Sequence, residues 1–376
     1  MNAPQDKNQN VYAFGLFLVV LGMVLFGLIM VYSSSFIYAQ EKTGDGFSFI
    51  RKQLVSASIG LVALWAGYRI KYDFWRKIAY PFLGLAIVLL IMIFIPGLGM
   101  KVGGAHRWIH FWKLQFQPSE LAKFAVIFFV AHQLDKKFDR IDRVTAGVLS
   151  HFIIPLPVLM LLLVQPDFGT TVMIVVVIFC LMFLAGVPSK YLASSLGAGL
   201  LLGGWLAFGT GYRRSRLLTF VDPWSDPGGK GFQILQSLVG LHNGGIWGVG
   251  LGNGKEKLLY LPEAHNDFIF SVIGEELGFI GIVCVVLAYL YFIYCGLRIA
   301  SDCYKMDQNR FGMLLGAGIT LALGLQGFVN ICVALGLVPT KGLTLPFMSY
   351  GGSALVVDLF AVGVLLSLGR RRRVHG

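Results

Sequence analysis

Ten apolar stretches, each near the length that lets a helix cross a bilayer, constrain this chain more than any motif in it. A spanning helix needs about 20 mostly apolar residues, and the stretches fall at 13–35, 54–70, 78–96, 118–134, 148–164, 170–187, 191–209, 268–297, 311–336 and 350–369. Hydrophobic residues make up 56% of the 376 and charged ones 13%, with a mean hydropathy of +0.73. A soluble core cannot absorb that much apolar surface. The expected fold is therefore all-α, a polytopic membrane protein with about ten transmembrane helices. No soluble domain, low-complexity linker or clear repeat divides it, so 1–376 is treated as one domain. The first stretch is too long for a signal-peptide core and is read as a retained helix.

Basic residues in the short connections set the orientation. With the N-terminus inside, the inner connections carry Arg69, Lys71, Arg76 and Lys77, then Lys136, Lys137, Arg140 and Arg143, then Arg298, Lys305 and Arg310, and finally Arg370 to Arg373. The opposite short loops carry fewer. Both termini then face the cytoplasm, and the polar segment Tyr212 to Asp267 faces outward as a large loop, about 210–267, between helices seven and eight. Much of the +12 formal charge is this topology signal, for which nucleic-acid binding is an unnecessary explanation.

Within the outer loop, Phe232, Leu235, Leu238, Val239 and Ile246 recur at helical spacing, with Gln233, Gln236 and Ser237 between them. That pattern fits a short helix, either lying in the membrane interface or packed on the protein's own surface. The run Gly248-Val249-Gly250-Leu251-Gly252-Asn253-Gly254 follows no predicted strand or βαβ unit, so a nucleotide loop is set aside. Glycines such as Gly197, Gly199, Gly203 and Gly204 suit close helix packing. The five cysteines lie in or beside predicted helices, and neither a disulfide framework nor a CxxC metal site is suggested.

Ionisable groups near membrane depth are costly, and each calls for a role. Asp267 begins the eighth stretch, and Glu275 and Glu276 follow in the same predicted helix. Eight residues of straight helix would carry Glu275 about 12 Å deeper, projecting within a quadrant of Asp267, while Glu276 faces nearly away. Glu275 is thus expected to line the same cavity and Glu276 to partner a basic group. Glu120 and Lys123, three apart, form either an intrahelical ion pair or part of a cavity. Asp167 either caps the following helix or faces that cavity.

Five segments carry a resemblance: Phe116-Gln117-Pro118-Ser119-Glu120-Leu121-Ala122-Lys123, Gln165-Pro166-Asp167-Phe168-Gly169-Thr170, Tyr260-Leu261-Pro262-Glu263-Ala264-His265-Asn266-Asp267-Phe268, Gly274-Glu275-Glu276-Leu277-Gly278, and Pro339 to Ser353. Together, in order and over nearly the whole chain, they resemble the SEDS family, the shape, elongation, division and sporulation proteins. The stretch Pro339-Thr340-Lys341-Gly342-Leu343-Thr344-Leu345-Pro346 and Asp222-Pro223-Trp224-Ser225-Asp226-Pro227 are more similar to its cell-division branch than to its rod-shape branch. Asn266 stands where the family usually has Thr, and Ala354 where a second Ser is common.

The resemblance implies a peptidoglycan glycosyltransferase that polymerises lipid II, a disaccharide-pentapeptide on undecaprenyl diphosphate, outside the cytoplasmic membrane at the division septum. By family position Asp267 is the catalytic base. Inverting transfer needs such a proton acceptor, and cations suit the departing diphosphate. Arg107 and the cluster Arg213, Arg214 and Arg216 are candidate substrate contacts, with Lys123 deeper, and Glu275 and Asp167 as further cavity candidates. For the arginines the alternative is attraction to anionic membrane lipid. His265 is read as a hydrogen-bonding loop residue rather than a second base, and Lys341, Ser349 and Tyr350 either shape the cavity or serve the turn around them. No cofactor is required by the sequence. A divalent cation, Mg²⁺ or Mn²⁺, could join the substrate diphosphate to one carboxylate. The implied partners are a class B penicillin-binding protein and other membrane proteins of the division machinery.

Two readings from other classes compete. A lipid II flippase would place its essential charges at Glu120, Lys123, Asp167 or Glu275, near the bilayer midplane. A scaffold would tolerate neutral replacements throughout the cavity. Within the family, the elongation polymerase is the other assignment.

Overall fold

The computed structural model describes residues 5–102, 105–111, 114–208, 218–229, 231–256, 264–340 and 342–370. Every expected span contains helix. The helices are α1 (Gln5–Thr43), α2 (Ser48–Arg69), α3 (Tyr72–Met92), α4 (Pro118–Lys136), α5 (Ser150–Ile153), α6 (Leu156–Val164), α7 (Phe168–Leu184), α8 (Ser189–Phe208), α9 (Phe232–Gly244), α10 (Ile269–Asp307), α11 (Arg310–Ala334) and α12 (Gly352–Leu368). Among the described residues, six spans are long and apolar enough to cross a membrane by length and composition, and Phe168–Leu184 and Gly352–Leu368 are shorter apolar helices.

The core runs along α11 and α12, which are buried over most of their length. α11 packs on α10, α4 and α7, and α12 lies along α2. Small residues set that last distance: a Cβ on Gly67 would fall 2.7 Å from the Phe360 carbonyl oxygen, and one on Gly363 would collide with the Leu64 backbone. Contacts this close are how helices associate where lipid removes the hydrophobic driving force between them. α4 starts on Pro118, a residue suited to a first helical turn, and the Gln117 N–H just before it donates to Ser353 Oγ at 3.1 Å.

Three features depart from the pattern of straight helices. The connection before α4 forms a small antiparallel sheet, β1 (Gly99–Val102), β2 (Ala105–Phe111) and β3 (Leu114–Phe116), in the order β1-β2-β3. The fifth stretch is segmented, with a π-turn at Thr145–Leu149, then α5, then Pro155 before α6. The eighth is broken at Gly278, whose φ of 67° and ψ of −163° lie outside helical space, in a region open essentially to glycine alone.

The glycine-rich run after α9 fills that break. Val249 and Gly250 N–H donate to the carbonyls of Glu275 and Glu276, each at 3.0 Å, and Phe279 and Ile280 N–H donate to those of Gly245 and Ile246 at 2.8 and 3.3 Å. These four bonds take the groups that a helix interruption leaves over. The bend is sharp: a Cβ on Gly274 would lie 3.1 Å from Ile282 Cδ1, although eight residues of straight helix span about 12 Å.

The predicted loop helix, α9, has two faces. Ile234, Leu235 and Ser237 are buried, and Ser237 Oγ reaches Ser271 Oγ and, at 2.6 Å, the Ala334 carbonyl. Leu238 and Val239 remain exposed, as do Ile246 and Trp247 just beyond the helix. Packing on the protein's own surface therefore describes one face, and Leu235 belongs to it rather than to an outward apolar stripe.

Candidate active site

The segment that carries Asp267 is held by its backbone. Tyr350 N–H donates to the His265 carbonyl at 2.9 Å, Ser349 Oγ to that of Asn266 at 2.6 Å, and Asn330 Nδ2 to that of Asp267 at 2.9 Å. Three consecutive carbonyls are thus satisfied by α11 and the loop before α12, and the Asp267 side chain is half-buried. Ser349 and Tyr350 shape the site through these bonds. His265 is buried among Tyr38, Phe49 and Tyr350, with ring centroids 5.2, 4.9 and 5.7 Å away, a packed position rather than that of a second base.

Arg107 comes to the same place from β2. Its Nε and Nη2 donate to the carbonyls of Gln165 and Pro166 at 3.4 and 2.6 Å, so the turn between α6 and α7 aims the guanidinium. A Cβ on Gly342 would sit 3.5 Å from Asp267 Oδ2 and 3.7 Å from Arg107 Nη1. A carboxylate and a guanidinium border one exposed spot that a glycine keeps open.

Asp167 is a helix cap: its Oδ1 accepts from Thr170 N–H at 3.3 Å. The carboxyl is buried, and burial raises its pKa while nearby Arg107 opposes that rise. Lys123 is buried and committed, with Nζ 2.8 Å from Glu120 Oε2, 2.6 Å from Gln326 Oε1 and 3.5 Å from Asp358 Oδ1. The intrahelical pair is present within a larger cluster, and a direct hold on substrate by Lys123 is not what the geometry provides. Glu275 also departs from expectation. It is buried and accepts the backbone N–H groups of Lys255 and Glu256 at 2.7 and 3.3 Å, so it braces the loop before α10 instead of lining the cavity. The straight-helix depth assigned to it belongs to a short arm, residues 269–277, that bends away from the spanning part of α10 at Gly278. Glu276 accepts from Ser33 Oγ, which lies 2.7 and 2.8 Å from its two oxygens. Arg213, Arg214, Arg216 and Lys341 lie outside the described residues.

Sequence reasoning missed Asn330, Gln326 and Asp358. Asp358 was detectable as an acid inside an apolar stretch, and Gln326 and Asn330 as amides four apart on one face of another. Their partners come from remote segments and leave no local trace.

Fold and site together define a polytopic membrane protein with a carboxylate and a guanidinium at one end of its helical bundle. The chain belongs to the SEDS family: residues 14–374 match the family described as Cell cycle protein, FTSW_RODA_SPOVE. It is 43% identical over 360 residues to the probable peptidoglycan glycosyltransferase FtsW of Geobacter sulfurreducens, covering 96% of this chain and 95% of that one. The corresponding protein of Nitrosomonas europaea is 37% identical over 375 residues, covering 99% and 96%. Among solved structures, a chain from work on structural coordination of polymerization and crosslinking by a peptidoglycan synthase complex matches with a TM-score of 0.77 at 31% identity, covering 96% and 98%. The rod shape determining protein RodA of Thermus thermophilus matches at 0.70 and 28%, covering 96% and 97%.

Proposed function

We propose that this chain is a peptidoglycan glycosyltransferase that polymerises lipid II into glycan strands at the outer face of the cytoplasmic membrane, with Asp267 as general base. The observation that carries the reading is the placement of Asp267 Oδ2 and Arg107 Nη1 around the open spot at Gly342. The acceptor hydroxyl attacks the anomeric carbon of the donor sugar, its proton passes to Asp267, and the bond to the diphosphate breaks on the opposite face. Arg107, aimed by two carbonyls, stabilises the charge that develops on the leaving diphosphate. The names of the similar FtsW proteins support the reaction class.

In this reading the chain crosses the membrane ten times, keeps both termini in the cytoplasm and works at the division septum. A class B penicillin-binding protein is its crosslinking partner, beside other membrane proteins of division. The synthase complex to which the chain is similar supports that pairing. A divalent cation, Mg²⁺ or Mn²⁺, would be held by Asp267 and the substrate's phosphates, the way Mg²⁺ commonly binds, and would neutralise leaving-group charge.

The test is polymerisation of lipid II by the purified complex, read on gels. Asp267→Asn should lose about 10²- to 10⁴-fold in rate while expression and partner binding stay normal. Polymer formed at the wild-type rate would remove Asp267 as base. Lost lipid II translocation with polymerisation intact would turn the assignment to a flippase.

A further inference from the structure

Two amides on α11 tie the buried charge cluster to the segment that carries Asp267. Gln326 and Asn330 stand four residues apart, hence on one face, and each is about 1% exposed. Gln326 Nε2 donates to the Thr344 carbonyl at 3.1 Å, and Asn330 Nδ2 to that of the adjacent Leu343 at 2.7 Å. Each amide also has a second connection. Gln326 Oε1 accepts from Lys123 Nζ at 2.6 Å, and Lys123 is fixed in turn by Glu120 and Asp358. Asn330 Nδ2 donates its other hydrogen to the Asp267 carbonyl at 2.9 Å. The bonds run without a gap from the charge cluster through Gln326 to residues 343–344, and from there through Asn330 to Asp267.

We propose that Asn330 is a positioning residue for Asp267, and that Gln326 extends its hold to the buried Lys123 cluster, so that this cluster registers the catalytic carboxylate against the loop before α12. The proposal rests on Asp267 being the base. It accounts for three charges buried between helices in a protein whose proposed chemistry lies at the outer surface: they fix a ladder. An amide suits the task, since one side-chain nitrogen can satisfy two carbonyls from different segments and adds no charge that would pair with Asp267. The arm 269–277 is cut from the rest of α10 at Gly278, so the rod of that helix cannot set the place of Asp267 by itself. Asn330 supplies the missing constraint from α11.

The test uses the full chain with its transpeptidase partner in bilayer nanodiscs and lipid II as substrate. Asn330→Ala should lower kcat on the order of 10- to 100-fold, the effect of a small misplacement of a reacting group, with KM within about twofold. Amide exchange at 264–268 should rise, while melting of the complex stays close to wild type. Gln326→Leu, which keeps the volume, should show the same pattern more weakly. In the background of Asp267→Asn, adding Asn330→Ala should cost nothing more, because both act through one carboxylate. Wild-type kcat, unchanged exchange at 264–268, or a further loss in the double variant would each overturn the proposal. If Asp267→Asn itself polymerises normally, the base assignment fails, and exchange at 264–268 alone decides whether Asn330 holds that segment.

Discussion

Asp267 and Arg107 meet at Gly342, where a Cβ would lie 3.5 Å from the carboxylate and 3.7 Å from the guanidinium. Both distances are ordinary van der Waals contact, so Gly342→Ala should keep the fold and most activity. Gly342→Leu should fill the spot and cut kcat/KM by about tenfold or more, equivalent to ~1.4 kcal/mol, with melting unchanged. Steady-state polymerisation of lipid II by the three proteins checks this, and full activity of the leucine variant would place the substrate elsewhere.

Arg107 has two donors engaged by the Gln165 and Pro166 carbonyls. Arg107→Ala should lose about 10- to 100-fold in activity, the worth of a charged hydrogen bond. Arg107→Lys should recover only part, because an ammonium cannot grip two carbonyls and still present a planar donor pair to phosphate. Equal activity of the alanine variant and wild type would return Arg107 to the surface.

Glu256 lies beside Glu275 at the foot of the glycine-rich run. Burial first, and then the Glu275 charge, raise its carboxyl to about 7 from 4.5. The folded loop therefore holds a proton that the unfolded chain releases between those values. Local stability is full below pH 4.5 and falls as pH rises toward 7. Glu256→Gln should flatten this dependence, leaving the loop about 1 kcal/mol more stable than wild type at pH 8. Amide exchange of 248–256 from pH 5 to 8, corrected for intrinsic rates, measures it; identical pH slopes in both proteins would contradict the assignment.

On α9, Leu238→Glu should leave the protein folded, because this side chain is exposed, whereas Leu235→Glu should loosen the helix from α10 and α11, because Leu235 is buried. If the outer face holds the polyprenyl chain, Leu238→Glu should also shorten the glycan product, with Gln236→Glu as control. Product-length gels and melting curves separate the two effects. Equal glycan length in Leu238→Glu and wild type would end the lipid-holding role.

Much of this was legible in the sequence because bilayer helices obey a length rule that local composition reports. The ten stretches all contain helix, and of the two readings of Asp167 the cap is the one the structure shows. What stayed hidden depends on contacts between distant segments. Gly278 looked like one more glycine in a helix until the run at 245–250 was seen to take its freed backbone groups. Glu275 looked like a cavity acid because a straight helix was assumed, and Asn330 carries no sequence signal beyond standing four residues from another amide in an apolar stretch. The strand that carries Arg107 goes unannounced because Ala105 to Phe111 do not alternate strictly between apolar and polar residues.

The break at Gly278 separates leverage from anchorage. Helical backbone geometry is interrupted at Gly278, between the spanning rod of α10 and the short arm that follows Asp267. The outer turn at 245–250 grips both sides of the joint instead. The two helical pieces are therefore coupled through that turn, and displacing it bears on the arm and the rod together.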